Sequence, residues 1–257
     1  MKTILSILLL FPLLVTAQQF HVFDIDTTEF PKMKAKFYLT NSQDNPIVKH
    51  SRSDFEIKEN GVLRDVTNVS CPPNTFSPMS IVIAVDVSGS MSGSHINMIT
   101  TALNSFISNL EFNGSEIAII GFTTSNYYIS DFTSNKNKIL DKIKYIKASG
   151  GTDFNSAFIT PTAGAILAME KAAYTNKQII LITDGEANGN EQQIIADATS
   201  SNITISSIVV DGKFPNLITN ITKKTGGELF KNKKTSIDVI NALNKVSKQL
   251  TLNACIW

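Results

Sequence analysis

The chain has 257 residues and a formal net charge of +1 at pH 7. Once the N-terminal Lys2 is set aside, 22 basic residues balance 22 acidic ones, so the chain lacks the basic excess that attracts nucleic acid or anionic membrane. We therefore expect no nucleic-acid partner. The length suits one sizeable hydrophobic core with a small additional module.

Residues 1–17 have the composition of a secretory signal peptide. Lys2 precedes an apolar run from Ile4 to Val15, and small residues lie at the −3 and −1 positions of a cleavage point after Ala17. The run is short for a bilayer span and contains Pro12. We therefore expect an exported chain, secreted or at the cell surface, with no transmembrane segment after cleavage.

Residues 18–75 are predicted to form a small antiparallel β unit. Apolar and polar residues alternate over Lys34–Leu39 and Asp54–Lys58, and Asn60-Gly61 marks a tight hairpin before Val62–Val69. A segment rich in Pro, Ser and Asn then indicates a linker before the next domain.

One motif in this unit leaves an enzymatic alternative open. The stretch "DIDTT" (Asp24–Thr28) fits the Asp-x-Asp-x-Thr nucleophile motif of haloacid-dehalogenase-like phosphatases, in which Asp24 and Asp26 would act with magnesium. That motif requires a buried strand before it and a helix after it, whereas "FHVF" precedes it here and Pro31 follows. A plain strand end is the competing interpretation.

Residues 76–250 show a different pattern, in which apolar runs alternate with amphipathic stretches. This pattern is typical of a parallel sheet covered by helices on both faces, and hence of a doubly wound α/β domain. Tyr127–Ser134 follows the preceding strand after only a few residues, which predicts one antiparallel edge strand. The predicted strands are Ile81–Val85, Ile117–Phe122, Gln178–Ile182 and Ile203–Val210, and the predicted helices are Asn97–Leu110, Asn155–Ala173 and Ser236–Leu250.

Small oxygen-bearing side chains gather at the ends of these strands. Asp86, Ser88 and Ser90 directly follow the first strand, Thr152 lies in a glycine-flanked loop, and Asp184 follows a later strand. Ligands of open α/β sheets bind at the carboxyl ends of the strands. Carboxylates and hydroxyls suit a hard cation such as Mg²⁺, with Mn²⁺ or Ca²⁺ as alternatives. Each residue taken singly is also explained as a helix cap or a turn.

Taken together, "DVSGS", "GGTD" and "ITDGE" resemble the metal-ion-dependent adhesion site of a von Willebrand factor type A domain. The resemblance covers about residues 79–250 and implies a non-enzymatic binding or adhesion module. It implies that hydroxyls of Ser88, Ser90 and Thr152 ligate or support the metal, while Asp86 and Asp184 act largely through water. A partner protein's Asp or Glu carboxylate would complete the coordination. A structural module with incidental metal is the remaining alternative.

The resemblance leaves two neighbouring acids, Asp153 and Glu186, as candidates for a supporting role. A weaker similarity links "DFEIKENGVLRDV" to β units that precede such domains in bacterial surface proteins.

Cys71 and Cys255 are the two cysteines of the chain. An even number in an exported protein predicts a disulfide, with two buried thiols as the alternative. Residues 251–257, "TLNACIW", have a strand-like composition. We expect this strand to pair with the N-terminal unit, unless the sequence is a piece of a longer chain.

Overall fold

The computed structural model describes residues 19–41, 47, 50–70, 78–185, 187–210, 215–251 and 255–256. The chain divides into two compact units, Met1–Pro72 with Ala254–Trp257 and Pro73–Asn253. The predicted signal peptide, Cys71 of the predicted disulfide and Glu186 lie outside the described residues. Within the described ranges, no helix is both long and apolar enough to cross a membrane.

Two sets of elements correspond to the two units. The N-terminal unit contains β1 (Gln19–Asp26), β2 (Lys34–Thr40), β3 (Ile57–Glu59), β4 (Val62–Arg64) and, from the end of the chain, β11 (Cys255–Ile256). The larger unit contains β5 (Ser80–Asp86), α1 (Ser94–Asn109), β6 (Glu116–Phe122), β7 (Asn126–Thr133), α2 (Lys136–Ile143), α3 (Phe154–Phe158), α4 (Ala165–Ala168), β8 (Lys177–Thr183), α5 (Glu191–Ser200), β9 (Ile203–Val209), α6 (Asn216–Lys224), β10 (Leu229–Phe230) and α7 (Ser236–Thr251).

The N-terminal unit is antiparallel. Strand β2 pairs with β1 on one side and with β11 on the other, where Cys255 lies opposite Phe37. The β3–β4 hairpin turns through Asn60 and Gly61, whose φ angles of 50° and 81° fit the left-handed conformation that this dipeptide favours. Phe37 is fully buried and packs edge-on against Phe55 at a centroid distance of 4.8 Å. This aromatic contact forms the centre of the small unit.

The described surroundings of "DIDTT" are those of a strand end. Asp26 is exposed at the end of β1, and its Oδ1 accepts hydrogen bonds from the amide and hydroxyl of Thr28 at 2.9 and 2.7 Å. Turns follow it. The motif therefore has neither the buried parallel strand nor the following helix that phosphatase chemistry requires.

The larger unit has a six-stranded sheet in the order β10-β9-β8-β5-β6-β7. All neighbouring strands are parallel except β7, which runs antiparallel to β6. One face packs against α1, α2 and α7, and the other packs against α3, α4, α5 and α6. Because both faces are covered, the central strands are apolar along nearly their whole length. The prediction of a doubly wound sheet with one antiparallel edge strand is confirmed.

The prediction of a single helix over residues 155–173 is wrong. The chain forms α3 and α4 separately, and the segment between them contains Pro161 and Thr162, whose φ is 92°. A Cβ at Gly164 would lie 2.7 Å from the carbonyl oxygen of Thr160, so the tight return of the chain requires glycine. Proline, a left-handed residue and this close approach together end the first helix.

Asn126 on β7 replaces hydrogen bonds that the interrupted helix loses. Its Nδ2 donates to the carbonyl oxygens of Ser156 at 2.7 Å and Thr160 at 3.0 Å. Its Oδ1 accepts from the amide of Ala163 at 2.8 Å. One buried side chain thus satisfies three backbone groups on both sides of the break.

We expect Asn126→Ala to lower the free energy of unfolding by about 3 kcal/mol, because buried backbone groups lose their partners. Urea denaturation measures this change. Asn109→Ala is a matched control, since the Asn109 amide donates to Ser105 on an exposed helix surface, and it should change stability by at most about 0.5 kcal/mol. Equal effects of the two substitutions would contradict the bridging role of Asn126.

Candidate metal site

The site is built around Asp86, the last residue of β5, in the middle of the sheet. Its carboxylate is fully buried; Oδ1 accepts from the amide of Ser88 at 2.9 Å and Oδ2 accepts from Oγ1 of Thr183 at 2.7 Å. Thr183 ends β8, and its hydroxyl also accepts from the amide of Gly185 at 3.0 Å. Asp86 thereby connects the carboxyl ends of two adjacent parallel strands.

Two hydroxyls lie side by side just beyond Asp86. The Oγ atoms of Ser88 and Ser90 share a hydrogen bond of 3.0 Å. Ser88 is buried, whereas Ser90 is exposed. A short 3₁₀ turn, Gly89–Met91, holds them, and the fully buried Met91 anchors this turn in the core. The arrangement presents two neutral oxygen donors at the boundary between protein and solvent.

The loop that carries Thr152 is fixed to this turn by backbone hydrogen bonds. Gly89 donates to the carbonyl of Gly150 at 2.8 Å, and Ser149 donates to that of Val87 at 2.8 Å. Gly150 has a φ of 85°, a conformation that favours glycine. Thr152 is half-buried, and within the described residues its hydroxyl makes no hydrogen bond. Its side chain is thus available to a ligand.

The electrostatics of the site favour a cation. Burial raises the pKa of the Asp86 carboxyl, the hydrogen bonds from Ser88 and Thr183 lower it, and the negative charge of Asp184 raises it further. Asp184 is itself buried, directly after β8. None of the described groups that shift this pKa is cationic. A divalent ion would offset the repulsion between the two carboxylates.

The structure therefore brings the five predicted residues to one edge of the sheet by different means. Hydrogen bonds join Asp86, Ser88 and Ser90, charge links Asp184 to Asp86, and backbone contacts hold the Thr152 loop against the turn. The described residues contain no cluster of three or more His, Cys, Asp or Glu side chains suited to a metal. Metal binding here would depend on hydroxyl oxygens, a donor set that fits hard cations.

Sequence reasoning assigned no role to Thr183, which hydrogen-bonds both Asp86 and the loop after β8. The signal was present, because Thr183 immediately precedes Asp184 in "ITDGE". Asp153, considered for a supporting role, is the N-cap of α3: its Oδ1 accepts from the amide of Asn155 at 2.9 Å. It organises the helix start next to Thr152.

Residues 81–186 match the family model of the von Willebrand factor type A domain. Inter-alpha-trypsin inhibitor heavy chain H2 of Mus musculus is 25% identical over 198 residues, covering 68% of this chain and 20% of the relative. The chain thus spans about a fifth of that relative's length.

Two solved structures have the same fold. One is the vWF domain of the type V pili tip protein Mfa5 from Porphyromonas gingivalis, with 14% identity, a TM-score of 0.55, and coverage of 68% of this chain and 97% of that one. The other is a von Willebrand factor type A protein from Catenulispora acidiphila, with 13% identity, a TM-score of 0.57, and coverage of 92% and 50%. At these identities the similarity shows the fold alone.

We expect the contribution of Asp86 to the stability of the metal-free protein to fall as the pH rises through the pKa of this residue. This pKa lies above its ordinary value of 3.8, so the folded chain holds the proton more tightly than the unfolded chain. The resulting stabilisation is complete below pH 3.8 and is lost as the pH rises through the raised pKa. Asp86→Asn removes this titration, so the variant's stability relative to wild type should increase with pH.

Denaturant unfolding of both metal-depleted proteins between pH 3.5 and 7.5 measures this difference. Comparing the two cancels the opposite contributions of Asp26, Asp54 and Asp238, whose pKa values are lowered by hydrogen bonds from neighbouring residues. If the difference in unfolding free energy between the two proteins is constant across this range, the pKa of Asp86 is not raised by folding.

Proposed function

Because the chain carries a von Willebrand factor type A domain over residues 81–186, we propose that it is a non-enzymatic protein-binding or adhesion module with a cation-bridged contact to its partner. Domains of this type typically mediate contacts between proteins. The observation that carries the proposal is the convergence of Asp86, Ser88 and Ser90 at the carboxyl edge of the sheet, hydrogen-bonded to one another beside buried Asp184.

The residues fit a Mg²⁺ ion, with Mn²⁺ or Ca²⁺ as alternatives. The hydroxyls of Ser88, Ser90 and Thr152 would ligate it, while Asp86, whose two oxygens already accept hydrogen bonds, and Asp184 would act largely through water. Hydroxyl ligands add no negative charge, so the cation would still attract an anionic oxygen. The bound ion would supply this attraction, and the chain's residues would hold and orient it.

This chemistry identifies the partner class as a protein that presents an Asp or Glu carboxylate. The signal-like residues 1–17 support export, and with it a place outside the cell or at its surface. Neither the surroundings of Asp26 nor the relatives named above support the phosphatase alternative.

Mg²⁺ should stabilise the mature chain against unfolding. A ligand that binds only the folded state adds about 2.7 kcal/mol at one hundred times its dissociation constant, and thermal unfolding with Mg²⁺, with Mn²⁺ and with chelator measures this. Ser88→Ala and Asp184→Ala should abolish the effect. Ser92→Ala, at an exposed serine just after the same turn, should retain it. Wild-type protein that does not respond to millimolar metal would contradict the site.

Partner recognition can be tested on an array of immobilised peptides that contain single Asp or Glu residues. We expect binding that requires Mg²⁺ and is lost by at least tenfold with Ser88→Ala protein. Replacing the peptide's acid by Asn or Gln should have the same effect. Binding that persists in chelator and with Ser88→Ala would favour the structural-module alternative.

A further inference from the structure

The first turn of α3 is joined by hydrogen bonds to residues 188–190 of the loop that follows β8. We call these contacts the clamp. Asp153 and Asn188 form a parallel β-bridge, and the amide of Phe154 donates to the carbonyl of Asn188 at 2.8 Å. The side-chain Oδ1 of Asn155 accepts from the amide of Asn190 at 2.8 Å. These contacts join two segments that are about 35 residues apart in sequence.

Close packing reinforces the clamp. A Cβ at Gly189 would lie 2.9 Å from the Cβ of Phe154, closer than real Cβ atoms approach. Phe154 is fully buried next to Phe122, at a centroid distance of 6.2 Å, so it has little room to yield. The backbone at residue 189 is therefore in close contact with the start of α3. Asn155 adds a side-chain hydrogen bond to this contact.

The clamp joins the segments that follow two loops of the candidate metal site in sequence. Thr152 immediately precedes the clamped turn, and Asp184 is a few residues before the clamped loop. Mg²⁺ requires near-ideal ligand geometry, and its ligands here would come from separate segments whose spacing must be held by other residues. Hydrogen-bonding groups behind the ligands commonly serve this purpose.

We propose that Asn155 is a positioning residue of the metal site, which holds the Thr152 loop and the Asp184 loop at the spacing that the ion requires. It acts through the Asn190 amide and is not itself a ligand. This inference rests on the proposed function, because it presupposes that the site binds a cation. The purely structural alternative is that Asn155 stabilises the fold without affecting metal affinity.

The test is calorimetric titration of the full mature chain with Mn²⁺, together with thermal unfolding in chelator. Asn155→Ala should weaken Mn²⁺ binding by tenfold or more. Asn155→Asp keeps an acceptor oxygen for the Asn190 amide and should restore most of the affinity. Gly189→Ala, which would force the two segments apart, should weaken binding without altering Asn155, and it serves as the second variant if Asn155→Ala does not fold.

Asn190→Ala is the matched control. It removes the side-chain cap of α5, in which Asn190 Oδ1 accepts from the amide of Gln193 at 3.2 Å, but it leaves the backbone amide that binds Asn155. We expect a lower unfolding midpoint with Mn²⁺ affinity within twofold of wild type.

The outcomes distinguish a failure of the positioning role from a failure of the proposed function. If wild-type protein binds Mn²⁺ and Asn155→Ala binds it equally well, or if Asn190→Ala weakens binding as much as Asn155→Ala does, the positioning role is overturned while the metal site stands. If wild-type protein binds no Mn²⁺, the proposed function fails, and the positioning role fails with it.

Discussion

The buried carboxylate of Asp86 is the constraint on which the candidate site depends. It lies where two central parallel strands end, and the fold stabilises it there by hydrogen bonds from the Ser88 amide and the Thr183 hydroxyl. A buried carboxylate is costly without partners, so these contacts fix the turn after β5 and the end of β8 relative to each other. The position of the two serine hydroxyls follows from that arrangement.

Much of the larger unit was predictable because its signals are local. Continuous apolar strands such as Ile81–Val85 imply burial on both faces, and the short interval between β6 and β7 permits only antiparallel pairing. The five oxygen-bearing residues were recognisable because four of them closely follow strands, while Thr152 lies in a glycine-flanked loop, and together they resemble a known family pattern. Their presence at one edge follows from the parallel order of the sheet.

The features that sequence reasoning missed depend on contacts between distant residues. The break between α3 and α4 is stabilised by Asn126, which lies about 30 residues before the first carbonyl that it binds, so helical periodicity alone suggested a continuous helix. Thr183 resembled an ordinary strand residue because its role requires the neighbouring Asp86. The clamp between Asn155 and Asn190 was invisible for the same reason. Local sequence patterns predict helices and strands. The hydrogen bonds that orient the site join residues that are distant in sequence, so they become visible only in the folded structure.

The pairing of β11 with β2 has a consequence for the order of folding during synthesis. The N-terminal unit is made first, but its sheet lacks a strand until residues 255–256 have been translated. The larger unit is encoded entirely between these two parts, so all of its strands leave the ribosome earlier, and domains generally fold as units as they emerge. The smaller unit therefore begins first and is completed last, as in a domain interrupted by an inserted one.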